Sequence, residues 1–330
     1  MGLSLLLLLL SMAVILLAAE LFTNSVEWFG HRMNLGEGAV GSLLAAVGTA
    51  MPETIVPLIA ILFVGGDTGK EIGVGAIIGA PFMLATAAFF VNGASVFLFS
   101  FTGRRDRLMA VNGRILQRDI IIFFIVFLAA VSASFLPGPL KVFVVVGLLV
   151  IYGAYVFMTL RGDSPVGGHL NPLHFHRRAD VPHLLLIVLQ LVFSLALMVG
   201  GARVFVAQIE TIAHDFGISA LVLALLIAPL ATELPEKFNS VIWVRQGKDT
   251  LAMGNVTGAM VFQTCIPVSV GLLFTPWVLD TPALVSAAIT LASTAIVAIA
   301  IGRSGRLEPQ ALVIGGPLYL AFGAYVIWFL

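Results

Sequence analysis

Apolar runs of about 20 residues follow one another from end to end of this chain, separated by short polar breaks. A helix advances about 1.5 Å per residue, so a run of that length crosses the hydrocarbon of a bilayer. The runs predict ten spans, over 3–27, 37–64, 71–99, 118–136, 139–160, 183–212, 217–244, 249–275, 281–301 and 309–329. Strands of a membrane barrel would alternate polar and apolar residues instead, so helices are preferred. The longest polar stretch, 161–182, is rich in Gly, Pro, His and Arg. It reads as a linker between a first membrane repeat over 1–160 and a second over 183–330. The run from Leu3 to Ala18 has no preceding Lys or Arg and no small-residue cleavage site, so it reads as a membrane span rather than a signal peptide.

Two spans carry residues that hydrocarbon tolerates poorly. Gly48-Thr49-Ala50-Met51-Pro52-Glu53 and Ala231-Thr232-Glu233-Leu234-Pro235-Glu236 each place Thr, Pro and Glu in mid-span. Pro removes a helical hydrogen bond, and an intramembrane carboxylate is costly enough to mark function. Aligned on these elements, Thr49 falls on Thr232 and Glu53 on Glu236. Leu35-Gly36 then falls on Ile218-Ser219, and Gly75-Ala76-Ile77-Ile78-Gly79 matches Gly254-Asn255-Val256-Thr257-Gly258. Chance similarity among Leu and Ala would not bring both the Pro-Glu and the Gly-x-x-x-Gly elements into line. The chain reads as an internal repeat.

Charge fixes the expected orientation. The odd-numbered loops hold thirteen Lys or Arg residues, from Arg32 through the cluster Arg104, Arg105, Arg107, Arg114 and Arg118 to Arg306, whereas the even-numbered loops hold only Lys70 and Lys141. Positive loops face the cytoplasm, which puts both termini outside. Five spans per half make the second half enter from the opposite side. The expected fold is therefore all-α, with ten transmembrane helices in two inverted five-helix repeats, the layout of an alternating-access carrier.

Composition narrows the remaining classes. Of 330 residues, 60% are hydrophobic and 10% charged, against roughly a quarter charged in soluble domains. Zero net charge gives no basic signal for nucleic acid. The single cysteine, Cys265, excludes an intrachain disulfide framework. No phosphate-binding loop, nucleophile elbow or zinc-protease helix occurs, and no cofactor motif is found. An intramembrane carboxylate pair could serve an aspartyl-type protease, but both acids are Glu in a Thr-x-x-Pro-Glu setting, so the chain reads as a non-enzyme.

With these elements the sequence resembles the cation/calcium exchanger superfamily, which includes sodium/calcium and calcium/proton exchangers. Its members carry two repeats, each with a G-T/N-S-x-P-E/D element followed by a G-N-x-x-G-S-N/D element. The resemblance covers nearly the whole chain in span number, topology and repeat position. It implies that Glu53 and Glu236 coordinate a cation, calcium foremost, with help from Thr49 and Thr232. Elementary chemistry agrees, since calcium takes six to eight oxygens and each half offers a carboxylate, a hydroxyl and carbonyls deprived of their donors by Pro52 or Pro235. Thr and Glu at i and i+4 also share a helix face.

The pattern departs from the family where Ser becomes Ala50 and Glu233, where Asn becomes Ala76, and where the closing Asn or Asp becomes Pro81 and Met260. Asn255 keeps its counterpart and remains a candidate ligand. Glu233 is an added candidate, and Lys237 a modulating charge that can pair with Glu233 at i,i+4 or approach Glu236. Asn255 and Gln263 also suit interhelical hydrogen bonds, and the four repeat glycines suit close helix packing. Arg203 and Glu20 occupy equivalent positions with opposite charge, as partners or as groups reaching the interface. His169, His174, His176 and His183 read as members of a solvated loop, and the Arg104–Arg118 loop as a topology signal that can also meet anionic headgroups.

The expectation is a secondary-active cation antiporter of a prokaryotic plasma membrane, moving calcium against sodium or protons through a site holding Glu53 and Glu236. The first and sixth helices are the expected sliding elements. A cation/proton antiporter for another cation stays open, as does a non-transporting membrane protein of the same fold.

Overall fold

Each long apolar run forms a helix in the computed structural model, which describes residues 2–33, 50–160, 171–176, 181–301 and 306–329. The side chains of Leu160, Ala231, Leu234, Pro235, Glu236, Phe238, Asn239 and Phe329 lie outside that description. The first helix, α1 (Gly2–Arg32), is unbroken. It is followed by α2 (Met51–Ile59), which continues as a π-helical turn over Ala60–Val64, then α3 (Gly66–Phe101), α4 (Gly113–Ser132) and α5 (Gly138–Leu160). The second half contains α6 (Leu184–Phe216), α7 (Ala220–Thr232), α8 (Leu234–Arg245), α9 (Asp249–Phe274), α10 (Thr281–Ile301), α11 (Pro309–Val313) and α12 (Gly315–Phe329).

Eight of the described segments are long and apolar enough to cross a membrane, α11 and α12 together forming one of them. The chain is a helical integral membrane protein. Helices α2 and α7 are shorter. They fall within the second and seventh expected spans, those carrying the Pro-Glu elements. The seventh span is divided at Glu233 into α7 and α8. Of the second, residues 37–49, including Thr49, lie outside the described residues.

Helices α3 and α9 form the centre. Most of the apolar length of each is buried, whereas α5 turns most of its length outward. Helix α3 is packed by α2, α7, α8, α9, α10, α11 and α12, and α9 by α4 and α5 as well. Helices α1 and α6 lie along one another and meet the rest mainly through α2 and α7. The buried apolar side chains divide accordingly, one cluster among α1, α2, α6 and α7 and a larger one around α3, α4, α9 and α10.

The closest interhelical approach involves the first Gly-x-x-x-Gly element. A Cβ on Gly75 would lie 2.1 Å from the Leu221 carbonyl oxygen, and one on Gly79 would lie 2.2 Å from that of Leu225. Small residues at i and i+4 thus seat the α7 backbone directly against α3. Pro229 lacks an N–H, so the Leu225 carbonyl has lost its helical donor and faces a glycine Cα instead. The second element differs. Gly254 has nothing within 4 Å of its Cβ position among the described residues, and Gly258 meets the Tyr155 hydroxyl at 3.3 Å.

Loops of like parity gather on common faces. Arg105, in the α3–α4 connection, makes a buried two-pronged ion pair with Asp249 at the start of α9, with N–O distances of 2.7 and 2.9 Å. The same connection supplies β1 (Met109–Ala110), which pairs antiparallel with β2 (Arg306–Leu307). Here three odd-numbered connections meet. On an even-numbered pair, Lys141 at the start of α5 donates to the Pro276 carbonyl, and buried Trp277 donates to the Ala130 carbonyl at 2.9 Å.

Part of the linker is docked against α1 and α6. Asn24 of α1 donates to the Asn171 carbonyl at 3.3 Å and accepts from His174 N at 3.2 Å. Gln190 of α6 accepts from Phe175 N and donates to Asn24, and Trp28 donates to the Asn171 carbonyl. Leu173 is fully buried. His174 and His176 are half-exposed and His183 is exposed, as a solvated loop requires, while Leu173 and the hydrogen bonds from α1 and α6 anchor the segment. His169, Arg177 and Arg178 lie outside the described residues. Glu20 and Arg203 go to other partners, His174 at 3.4 Å and the Phe63 ring at 4.7 Å respectively.

Candidate functional site

The two Pro-Glu elements start their helices from the same backbone conformation. Ala50, preceding α2, has φ −87° and ψ 7°, and its repeat equivalent Glu233, between α7 and α8, has φ −96° and ψ 5°. Both occupy the sparsely populated bridge region, and each is followed by a helix with Pro in its first turn. A sequence that ends one helix and restarts another in mid-span leaves polar backbone where a lipid-facing helix has none. Such breaks are tolerated only where protein or a cavity surrounds them.

Glu53 stands in the first turn of α2, buried at 4% exposure. Together with Pro57 it lines a narrow buried crevice. The wall opposite comes from the second half, as Ala228, Pro229 and Thr232 of α7, and the floor from Ala76 and Ala80 of α3. Thr232, 2% exposed, donates its hydroxyl to the Ala228 carbonyl at 3.2 Å, leaving the oxygen able to accept or to coordinate. Pro57 withholds the N–H that the Glu53 carbonyl would take in a regular helix. The side chains at 76, 80 and 228 are all Ala, so the walls around Glu53 and Thr232 carry little bulk.

Beside the crevice lies a second group of charges. Glu233 has no exposed surface, and its Oε2 is 2.7 Å from Lys237 Nζ. Gln263 of α9 donates Nε2 to Glu233 Oε1 at 3.4 Å. Of the two partners open to Lys237 in the sequence, the structure places Glu233 on it. Glu236 lies in the first turn of α8, its side chain outside the description. Asn255 is half-buried on α9 and is not one of the residues lining the crevice, and its Nδ2 has no hydrogen-bond partner among the described residues. The structure thus brings Glu53 together with Thr232, and Glu233 with Lys237 and Gln263. Among the described residues no three His, Cys, Asp or Glu side chains form a ready-made metal cage.

One buried polar cluster escaped the sequence reading. Asp119 on α4 is 2% exposed, accepts from Thr257 Oγ1 at 3.0 Å and pairs with Arg118 at 2.9 Å. The Arg118 guanidinium stacks over the Tyr155 ring at 5.2 Å. Thr257 belongs to the second Gly-x-x-x-Gly element, so α9 is tied to α4 through the motif itself.

The fold and site define a helical membrane protein with a buried, acid-lined crevice at its core. The profile of the family described as sodium/calcium exchanger protein matches residues 3–161 and 186–330, and the chain belongs to that family. Among curated relatives it is 26% identical over 332 residues to CaxA of Alkalimonas amylolytica, covering 96% of this chain and 95% of that one. It is 25% identical over 248 residues to the inner membrane protein YrbG of Escherichia coli K12, covering 73% and 70%. Its fold matches the crystal structure of the H+/Ca2+ exchanger CAX with a TM-score of 0.73 at 18% identity, over 98% of this chain and 82% of that one. The sodium-calcium exchanger NCX_Mj matches with a TM-score of 0.58 at 18% identity, over 97% of each chain.

Proposed function

We propose that this protein is a secondary-active antiporter that moves calcium across the membrane in exchange for sodium or protons. Its ten spans form two inverted five-helix repeats, with both termini on the outer side. Glu53 and Glu236 share one cation near the bilayer midplane, with Thr49 and Thr232 completing the shell and Asn255 and Glu233 close by. The observation that carries this reading is that Glu53 of one half and Thr232 of the other line a single buried crevice beside the two Pro-Glu elements. Family membership supports the reading, as do the transport activities named for the solved exchangers of this fold.

The mechanism follows from charge. Carboxylates in a low-dielectric site are costly without a compensating positive charge. A bound calcium can leave only when sodium or protons take over its role, which couples the two fluxes. Substitution of family oxygens by Ala50, Pro81 and Met260 favours the proton as counter-ion. Helices α1 and α6, packed on each other and touching the core through α2 and α7, are placed to slide as a unit while the crevice stays fixed.

Radiolabelled calcium uptake into proteoliposomes tests this, driven separately by outward sodium and outward proton gradients. Uptake with one gradient that is lost in Glu53→Gln and in Glu236→Gln is expected. No uptake with either gradient sinks the calcium reading.

A further inference from the structure

Ala50 and Glu233 share a backbone conformation, but their surroundings differ in charge. In the first half, Thr54 donates its hydroxyl to the Ala50 carbonyl at 3.2 Å. At the equivalent place in the second half, Lys237 donates its ammonium to the Glu233 carbonyl at 3.3 Å. The same ammonium lies 2.7 Å from Glu233 Oε2. One hydrogen bond is kept between the halves, and an anion and a cation have been added around it.

Stability alone gives little reason for that addition. Glu233 has no exposed surface and Lys237 is 8% exposed. Burying an ion pair is expensive, and apolar side chains of similar size commonly stabilise as well. The oxygens around the ammonium are a carboxylate and a backbone carbonyl, hard ligands of the type an alkali or alkaline-earth cation takes. A further hard oxygen is close. Gln263, 2% exposed, has its Nε2 on Glu233, while its Oε1 has no hydrogen-bond partner among the described residues. A buried amide oxygen left without a donor costs free energy, and such atoms call for an explanation.

We infer that Lys237 Nζ fills a monovalent-cation subsite beside the crevice, a tethered replacement for an alkali ion. Glu233 supplies its carboxylate and backbone carbonyl to that subsite, and the Gln263 amide holds the same carboxylate. Its consequence rests on the antiporter reading: a carrier with one cation built in returns with one fewer monovalent cation drawn from solution. Its test does not require transport.

The unfolding midpoint of the purified protein is measured in detergent with divalent ions chelated, at mildly alkaline pH so that a proton does not replace the cation. Choline is exchanged for sodium or potassium at constant ionic strength. Wild type sets the baseline response, because sodium as counter-ion would also bind at the crevice. Lys237→Met leaves the Glu233 carboxylate buried without a counter-charge, so its midpoint falls by roughly 10 °C in choline and recovers most of that loss in sodium or potassium. Lys237→Gln provides the same contrast if the methionine variant does not accumulate. Lys237→Met/Glu233→Gln, with both charges gone, is expected to respond no more than wild type. Single variants that ignore both alkali ions would reduce the pair to a structural one and overturn the inference. So would a wild-type response to sodium and potassium as large as that of Lys237→Met, because the subsite would then be open. A separate arm adds calcium to wild type. If calcium gives no stabilisation, the antiporter reading suffers while the monovalent contrast still stands or falls alone.

Discussion

Gly79→Ala places a methyl carbon 2.2 Å from the Leu225 carbonyl oxygen and 2.8 Å from Leu225 Cα. A carbon–oxygen contact relaxes at about 3.3 Å, so α3 and α7 must part by about 1 Å along that line. No side chain can swing aside, because the obstruction is backbone. Overpacking of this kind costs about 1–3 kcal/mol, or a melting shift of a few degrees. Gly75→Ala demands the same separation at Leu221, so the double variant should cost less than the sum of the two. The effect on the crevice is larger than the effect on stability. Ala76 and Ala80, next to the two glycines, form its floor, and α7 supplies Ala228, Pro229 and Thr232. Metal–ligand distances tolerate only about 0.2 Å, so a shift of about 1 Å removes α7 from the shell. Calcium uptake and calcium-dependent thermal stabilisation should both drop ~10-fold or more. Gly153→Ala on α5 is the control, with nothing within 4 Å of its Cβ position. A Gly79→Ala protein with wild-type uptake and calcium response would show that the α3–α7 contact does not position the site.

Three further outcomes are expected. Arg105→Ala leaves Asp249 buried beside a lost guanidinium and should destabilise by about 3–5 kcal/mol, read by thermal unfolding, with Arg105→Ala/Asp249→Asn recovering part of the loss. Thr257→Val removes a hydrogen bond to the buried Asp119 carboxylate and should cost about 1.5–3 kcal/mol by the same measurement, whereas Thr257→Ser should stay near wild type. Asn24→Ala or Gln190→Ala should release segment 171–176 from α1 and α6, seen as faster proteolytic cleavage there, with a smaller change in the global midpoint.

Helix positions were legible because apolar length is a property of single segments, and α1, α4, α5, α9 and α10 match the expected spans closely. The breaks were legible too, since Pro and Glu act locally on the chain. Contacts between distant segments were not. Gly75 and Gly79 signal a close partner without naming it, and α7 became that partner only in three dimensions. Asp119 follows Arg118 at the edge of a basic loop, where a lone acid looks like an interfacial neighbour rather than a buried acceptor for Thr257. Asn24 and Gln190 are single amides in long apolar runs, and nothing in either run points to a linker 150 residues away in sequence from the first. The Lys237 choice was half-legible, because i,i+4 geometry favours Glu233 while adjacency offers Glu236.

The matched dihedral angles at Ala50 and Glu233 bear on the order in which this chain acquired its parts. If the halves descend from one ancestral unit that once assembled with its own copy, every residue at one break was then present at both. Two ammoniums beside a single cation crevice would repel each other and the cargo alike. The Lys237–Glu233 pair could therefore enter only after the halves became separately mutable, within one gene or as diverged copies. The shared backbone is then the older inheritance and the ammonium the younger. The Thr54 hydroxyl on the Ala50 carbonyl shows the first half making the same backbone contact without a charge.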